Sequence, residues 1–154
     1  MIGFSNPLSA PIPRTFIQSV VAAFQRALPM TRGCAVSVIL TDRSASRRLN
    51  HTYRHINAPT DVLSFPAHGD TPWPKEDRRL GEVVICYPIA VKQAKEFHHS
   101  VRREVAELLI HGLTHLAGFD HDTSKTAKKM AAIEAKVLAG LMGKHKAKNL
   151  KPKK

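Results

Sequence analysis

The segment HGLTHLAGFDH, residues 111–121, constrains this chain more than any other part of its sequence. His111 and His115 are four residues apart, so a helix places their imidazoles one turn apart on the same side. Gly118 can take the positive φ that ends a helix, and the chain can then turn back and bring His121 towards the other two. Three neutral imidazoles with one open coordination position are the ligand set of a catalytic zinc ion. The spacing therefore predicts one zinc ion per chain on this helix and the turn after it, held by His111, His115 and His121.

The same segment overlaps the zinc-peptidase signature H-E-x-x-H-x-x-G-x-x-H, in which all three histidines and the glycine coincide. The chain departs from that signature at Gly112, where the peptidases have the glutamate that deprotonates zinc-bound water. Glycine cannot take a proton, so the sequence disfavours peptide hydrolysis by that mechanism.

A second candidate site lies in the segment DRSASRRLNHTYR, which the pattern predicts to be a helix. On a helical wheel, Arg43, Arg47 and Arg54 lie within about 40° of one another, and Asn50 borders this stripe. Guanidinium groups bind phosphates through paired hydrogen bonds, so the stripe predicts contacts with a phosphate-bearing substrate. An ordinary solvated helix face is the alternative interpretation of the same pattern.

The charge of the chain is consistent with a polyanionic partner. Lys and Arg number 24 against 12 Asp and Glu, which gives a formal net charge of +12. Polyanions such as RNA are bound mainly through neutralisation of their phosphates, although charge alone does not separate RNA binding from solubility. Six of the lysines lie in KHKAKNLKPKK, so residues 143–154 are predicted to be a basic, disordered tail.

The overall composition, 43% hydrophobic and 23% charged, is typical of one globular domain. Apolar runs fall short of the roughly 18 residues expected of a membrane-spanning helix, and the N-terminus lacks the pattern of a secretory signal. Cys34 and Cys86 lie far apart in apolar segments and are predicted to be buried and reduced. These features together predict a cytoplasmic protein with no membrane partner.

The hydrophobic pattern predicts a single α+β domain over residues 1–142, with strands and helices interspersed around a small sheet. Residues 1–13 contain Pro7, Pro11 and Pro13 and are predicted to be an irregular leader. Strands are predicted at 34–40, in PTDVLSFP and in LGEVVICY, and helices at about 14–28, 43–55, 88–97, 100–117 and 123–142.

Three segments, in order along the chain, resemble the YbeY-type endoribonucleases, the rRNA maturation factors: LNHTYRHINAPTDVLSFP, LGEVVICYP and HGLTHLAGFDH. The match runs from about residue 36 to residue 141. The resemblance implies a zincin-like α+β fold, with a small mixed sheet packed against helices and a zinc ion bound by His111, His115 and His121. It also implies that the arginine of the N-x-x-Y-R segment, Arg54, lines the cleft and is needed for activity.

The resemblance further implies a cytoplasmic enzyme that cleaves single-stranded RNA, in maturation of the 3′ end of 16S rRNA, in ribosome quality control and in stress responses. Its partners would be rRNA of the small ribosomal subunit, with ribosomal proteins and assembly GTPases. Members of the family usually begin with an edge strand, for which the proline-rich leader of this chain is poorly suited.

Two other functions stay open. A non-catalytic assembly factor would bind rRNA with zinc in a mainly structural role, although structural zinc sites are closed by four protein ligands. A metallopeptidase is the third alternative and is disfavoured by Gly112. The sequence does not identify a general base, because Asp61, Asp120 and Asp122 each have a capping or supporting role as an equally good explanation.

Overall fold

Strands and helices interleave along the chain in a mixed α+β arrangement, as predicted. The computed structural model describes residues 2–69, 76, 78–119 and 122–142. Within them the strands are β1 (Ile2–Ser5), β2 (Ala35–Thr41), β3 (Val62–Pro66) and β4 (Arg79–Cys86). The helices are α1 (Arg14–Ala27), α2 (Arg43–Arg54), α3 (Tyr87–Glu96), α4 (Val101–Leu116) and α5 (Ser124–Met142), with a 3-10 turn at Pro29–Thr31.

The four strands form one mixed sheet in the order β1-β2-β4-β3. The strands β1, β2 and β4 run parallel to one another, and β3 is antiparallel to β4. Strand β3 therefore forms one edge of the sheet and β1 the other.

The prediction of an irregular leader over residues 1–13 is wrong at its start. Ile2–Ser5 form the edge strand β1, with Ile2 opposite Val36 of β2 in parallel register. The prolines of the leader all follow this strand, so they remove no hydrogen bond from its ladder. The guanidinium of Arg14 donates to the carbonyls of Ile2 and Phe4, which satisfies backbone acceptors of this edge strand.

One face of the sheet carries the hydrophobic core. Helices α1 and α4 pack on this face, and α5 packs against both of them; their buried residues form one cluster with those of β2 and β4. Members with no exposed surface include Val20, Phe24, Val38, Leu40, Val83, Ile85, Leu109 and Leu113. The buried side of α4 therefore fixes this helix, which carries two of the predicted zinc ligands, against the sheet.

Helix α2 packs on the opposite face of the sheet. The hydroxyl of Ser64 in β3 donates to the carbonyl of Gly112 in α4. The next residue of the strand, Phe65, meets the ring of Tyr53 in α2, with centroids 5.0 Å apart. Because consecutive strand residues point to opposite faces, α2 and α4 lie on either side of the edge strand β3. The helices of the described residues include none that is both long enough and apolar enough to cross a membrane.

Both cysteines are free and buried, as predicted, and each is 1% exposed. Burial also raises the pKa of the Cys86 thiol, which lowers its thiolate fraction at neutral pH. We therefore expect Cys34 and Cys86 to stay unmodified by iodoacetamide in native protein over a time in which urea-unfolded protein is fully alkylated. Mass spectrometry of the intact chain measures this, and native protein that is alkylated as fast as unfolded protein would contradict it.

Candidate active site

Helix α4 brings two of the predicted zinc ligands side by side. The Nε2 atoms of His111 and His115 are 3.2 Å apart. Their rings lie edge to face, with centroids 4.6 Å apart and an interplanar angle of 84°. The side chain of His111 is 38% exposed, so the pair lies at the boundary between the core and solvent.

The separation of the two Nε2 atoms fits a shared zinc ion. In tetrahedral coordination with Zn–N distances of 2.0–2.1 Å, two ligand nitrogens lie about 3.3 Å apart. The observed 3.2 Å agrees with that value. An N–H···N hydrogen bond between the rings would need a similar distance, and both contacts require the two Nε2 atoms to face each other. The two Nε2 atoms are therefore placed so that they can share either a proton or a metal cation.

The other ring nitrogen of His111 is held by a residue that the sequence patterns did not predict. Nδ1 of His111 lies 2.8 Å from Oε1 of Glu134 in helix α5. An ionised carboxylate can only accept hydrogen bonds, so Nδ1 is the donor. A signal for this contact does exist in the sequence. Glu134 lies on the same side of its helix as Met130, Val137 and Leu138, which are buried and apolar, so it is the one charged residue in that stripe.

The end of α4 adopts the predicted geometry. Gly118 has φ +98°, and its N–H donates to the carbonyl of His115 at 2.9 Å. The N–H of Phe119 donates to the carbonyl of Thr114 at 3.2 Å. This pair of bonds is the Schellman motif, which reverses the chain after a helix. His121, the third predicted ligand, lies outside the residues that the structure describes, so its role stays a prediction.

Gly112 lies where α4 comes closest to the sheet. A Cβ atom at this position would be 2.7 Å and 3.1 Å from the two methyl groups of Val83, and 3.2 Å from Oγ of Ser64. The side of α4 that the peptidase glutamate would occupy is therefore filled by strands β3 and β4. The chain therefore lacks the glutamate of a zinc peptidase, and its packing leaves no room for a glutamate at this position.

The arginines of α2 are exposed, as a substrate-binding surface requires. Arg43 opens the helix and Arg54 is its last residue. Nε of Arg47 donates to Oδ1 of Asn57 at 2.7 Å, which ties this guanidinium to the loop that follows the helix. Contacts of Arg43, Arg47 and Arg54 with a substrate stay predictions.

Asn50 faces the protein rather than solvent. It is 2% exposed, and its Nδ2 donates to the carbonyl of Ala58 at 2.8 Å. The side chain thus holds the loop between α2 and β3. Its predicted substrate contact remains untested, and this loop contact is the role that the geometry gives it.

The two predicted halves of the site lie on opposite faces of the sheet. The histidines belong to α4 and the arginine stripe to α2, and these helices flank the edge strand β3 (Val62–Pro66). A ligand that meets both helices must therefore lie across this edge. The implied position of Arg54 in the same cleft as the histidines stays a prediction.

A second cluster near the start of α4 is also a possible metal-binding site. Nε2 of His99 lies 2.7 Å from Oε1 of Glu104 and 3.5 Å from Oε2 of Glu107. One ligand atom from each residue lies within 4.8 Å of the others. Glu104 is fully buried, and its contact with His99 also joins the turn after α3 to α4. Glu104 and His111 are separated by seven residues, about 10 Å along a helix, so the two histidine clusters are distinct.

Of the three candidate general bases, Asp61 has a structural role. Oδ1 of Asp61 accepts the N–H of Val62 at 2.8 Å, and Oδ2 accepts from Nε2 of Gln93 at 3.2 Å. Asp122 is exposed before α5, and Asp120 lies outside the described residues. The geometry assigns the role of general base to none of them.

The fold and the site define a class of protein. It is a mixed α+β domain in which a helix packed on a small sheet presents two facing imidazoles, with an exposed arginine helix across the edge strand. The chain belongs to the YbeY endoribonuclease family, because the sequence model described as Endoribonuclease YbeY matches residues 8–142.

Curated relatives carry the same family name, and a solved structure shares the fold. An Endoribonuclease YbeY from Moorella thermoacetica is 46% identical over 115 residues, covering 69% of this chain and 72% of the relative. A protein of the same name from Roseiflexus castenholzii is 34% identical over 138 residues, with 88% and 87% covered. The solution structure of a Thermotoga maritima protein superposes with a TM-score of 0.65 at 26% identity, covering 100% of this chain and 99% of that one.

Proposed function

We propose that the protein is a zinc-dependent endoribonuclease of zincin-like fold that cleaves single-stranded RNA. Its proposed role is maturation of the 3′ end of 16S rRNA and ribosome quality control. The observation that carries this proposal is the pair of Nε2 atoms facing each other at 3.2 Å on α4. That helix lies within the part of the chain matched by the endoribonuclease family, and the relatives named above support the same reaction class.

His111, His115 and His121 would hold one zinc ion and leave one coordination position open. A zinc ion in such a site lowers the pKa of bound water towards about 7 and polarises a phosphoryl oxygen. The chain contributes the orientation of the ligands, through the rigid turn of α4 and the helix end at Gly118. The nucleophile, either water or the RNA 2′-hydroxyl, is distinguished by whether the products end in a 2′,3′-cyclic phosphate.

Arg54 is the residue that we propose to bind the scissile phosphate. Its guanidinium offers paired hydrogen bonds and a fixed positive charge where negative charge develops. Arg43 and Arg47 would contact the substrate further along α2, and the buried Asn50, first predicted to touch the substrate, would instead hold the loop beside them. Because α2 and α4 lie on opposite faces, the substrate must bend across the edge of β3. A flexible single strand can follow this path more easily than a stiff duplex.

The charge of the chain supports RNA as a partner, and the protein partners are those that the family resemblance implies. A net charge of +12 complements the phosphates of small-subunit rRNA, and we propose ribosomal proteins and assembly GTPases as further partners in the cytoplasm. Residues 143–154 lie outside the described residues, so the basic, disordered tail stays a prediction.

We expect one zinc ion per chain in the untagged wild-type protein and none in His115→Ala, measured by mass spectrometry for metals. His98→Asn is the matched control, since His98 is exposed and has φ +55°, a conformation that asparagine tolerates. His99→Gln tests the second cluster and should keep its zinc. Zinc retained in His115→Ala but lost in His99→Gln would move the metal site to the second cluster and overturn this assignment.

Cleavage should depend on that ion. A chelator is expected to abolish cleavage of a single-stranded RNA by the wild-type protein, and added zinc should restore it. The zinc-bound protein could instead bind rRNA but cleave no RNA, with or without chelator. That result would support the non-catalytic assembly factor.

A further inference from the structure

We propose that Glu134 is a positioning residue that fixes the tautomer and ring orientation of His111, so that Nε2 is the atom offered to a metal ion. The inference rests on the proposed metal site and adds a residue to it. It starts from the 2.8 Å contact between Nδ1 of His111 and Oε1 of Glu134.

The contact determines which nitrogen of His111 is available. A carboxylate accepts but does not donate, so it selects the tautomer that carries its proton on Nδ1. In the neutral ring the lone pair is then on Nε2, which is the atom that faces Nε2 of His115 at 3.2 Å. Both observed distances are therefore explained by one tautomer, and that tautomer is the one a metal requires.

The placement of Glu134 argues against a purely structural role. Helix α5 docks through Met130, Val137 and Leu138, each at most 4% exposed, so its attachment to the core does not need a carboxylate. The side chain of Glu134 is 31% exposed and that of His111 is 38% exposed. A hydrogen bond between side chains this accessible to water contributes little to folding stability, whereas it can still orient a ring.

The contact also links the two sides of the chain reversal. Helix α4 ends at Leu116 and helix α5 begins at Ser124, so the contact joins two consecutive helices. The imidazole of His111 is therefore held from α5 as well as from its own helix. Carboxylates that orient a metal-binding histidine typically change metal affinity 10–100-fold when they are removed.

The test compares zinc affinity in wild-type protein, Glu134→Ala and Glu134→Gln by competition with a chromophoric chelator. We expect zinc to bind about 10–100-fold more weakly in Glu134→Ala. The loss should be smaller in Glu134→Gln, whose amide oxygen still accepts from Nδ1. Glu96→Gln, an exposed residue at the end of α3, controls for the loss of one negative charge and should bind like wild type.

A readout on the metal-free protein separates positioning from folding. Long-range ¹H–¹⁵N spectra are expected to show the Nδ1–H tautomer of His111 in the wild type, and the Nε2–H form or a mixture in Glu134→Ala. Thermal unfolding of the metal-free variants should be close to that of the wild type, because alanine favours the helix. If Glu134→Ala unfolds, Glu134→Met takes its place, because methionine is similar in size to glutamate, favours the helix and has no oxygen to accept from Nδ1.

The outcomes distinguish this inference from the function it rests on. Wild-type zinc affinity and an unchanged tautomer in a folded Glu134→Ala protein would overturn the role of Glu134 and leave the metal site intact. Failure of the wild-type protein itself to bind zinc would overturn both.

Discussion

Replacing Gly112 with glutamate, the residue that the zinc-peptidase signature has at this place, is expected to unfold the protein rather than produce a peptidase. A Cβ at Gly112 would lie 2.7 Å from a methyl group of Val83. Val83 is fully buried and β-branched, so it cannot turn aside cheaply. Overpacking together with a buried, unpaired carboxylate is expected to cost about 4 kcal/mol or more of the free energy of unfolding.

Alanine variants isolate the effect of close packing from that of charge. Gly112→Ala gains about 1 kcal/mol of helix propensity but loses about 1–3 kcal/mol to overpacking, so its net effect should be destabilising or close to zero. Gly140→Ala is the matched control, since Gly140 lies in α5 with no atom within 4 Å of an added Cβ. It should stabilise the protein by about 1 kcal/mol. Urea unfolding of both variants measures the difference.

Two results would contradict this interpretation of Gly112. One is a Gly112→Ala protein as stable as Gly140→Ala, which would mean that the contact between α4 and the sheet can relax without cost. The other is a folded Gly112→Glu protein that hydrolyses casein in a manner sensitive to His115→Ala, which would restore the metallopeptidase alternative.

The sequence predicted most of the elements because their ends are encoded locally. Ser100 accepts the N–H of Arg103 at the start of α4, and Gly118 ends that helix with a positive φ. Strand β1 was missed because it is stabilised by pairing with β2, far along the chain, and by the guanidinium of Arg14. Neither partner can be inferred from the prolines that follow the strand.

In the candidate site, too, the sequence predicted the contacts that depend on local spacing and missed those that depend on long-range packing. The one-turn spacing of His111 and His115 is a local property of a helix, so the sequence predicted that they meet. Their contact with Glu134 depends on how α5 folds back against α4, and periodicity alone does not give that geometry. For Asn50, the helical wheel gave the angle but not that the loop at Ala58 would cover its amide.

Replacing Arg54 with alanine is expected to lower the kcat of RNA cleavage about 10²–10³-fold, the usual effect of removing one group that stabilises transition-state charge. Arg54 is the exposed last residue of α2, and its guanidinium makes no hydrogen bond or ion pair with another described residue. The fold and the zinc content should therefore be unchanged. Circular dichroism and metal analysis check both before the rate is measured.

Arg54 has a purely structural explanation that makes a different prediction. A cation in the last turn of a helix stabilises it by about 0.3–1 kcal/mol through the helix dipole, and such a loss would leave kcat unaltered in a folded protein. Arg54→Lys keeps the charge but not the paired hydrogen bonds, so its activity should be intermediate. Arg48→Ala is the matched control, because Arg48 lies on the other side of α2 and donates to Ser44.

The kinetic constants decide how Arg54 acts. An arginine that binds the reacting phosphate most strongly in the transition state lowers kcat and kcat/KM together, whereas one that only holds the RNA backbone raises KM and leaves kcat unchanged. We expect the first pattern for Arg54→Ala and wild-type constants for Arg48→Ala. Wild-type turnover by a folded, zinc-containing Arg54→Ala protein would contradict this role. It would show that the histidines of α4 act without Arg54 of α2, so that the substrate need not cross the edge of β3 to contact both helices.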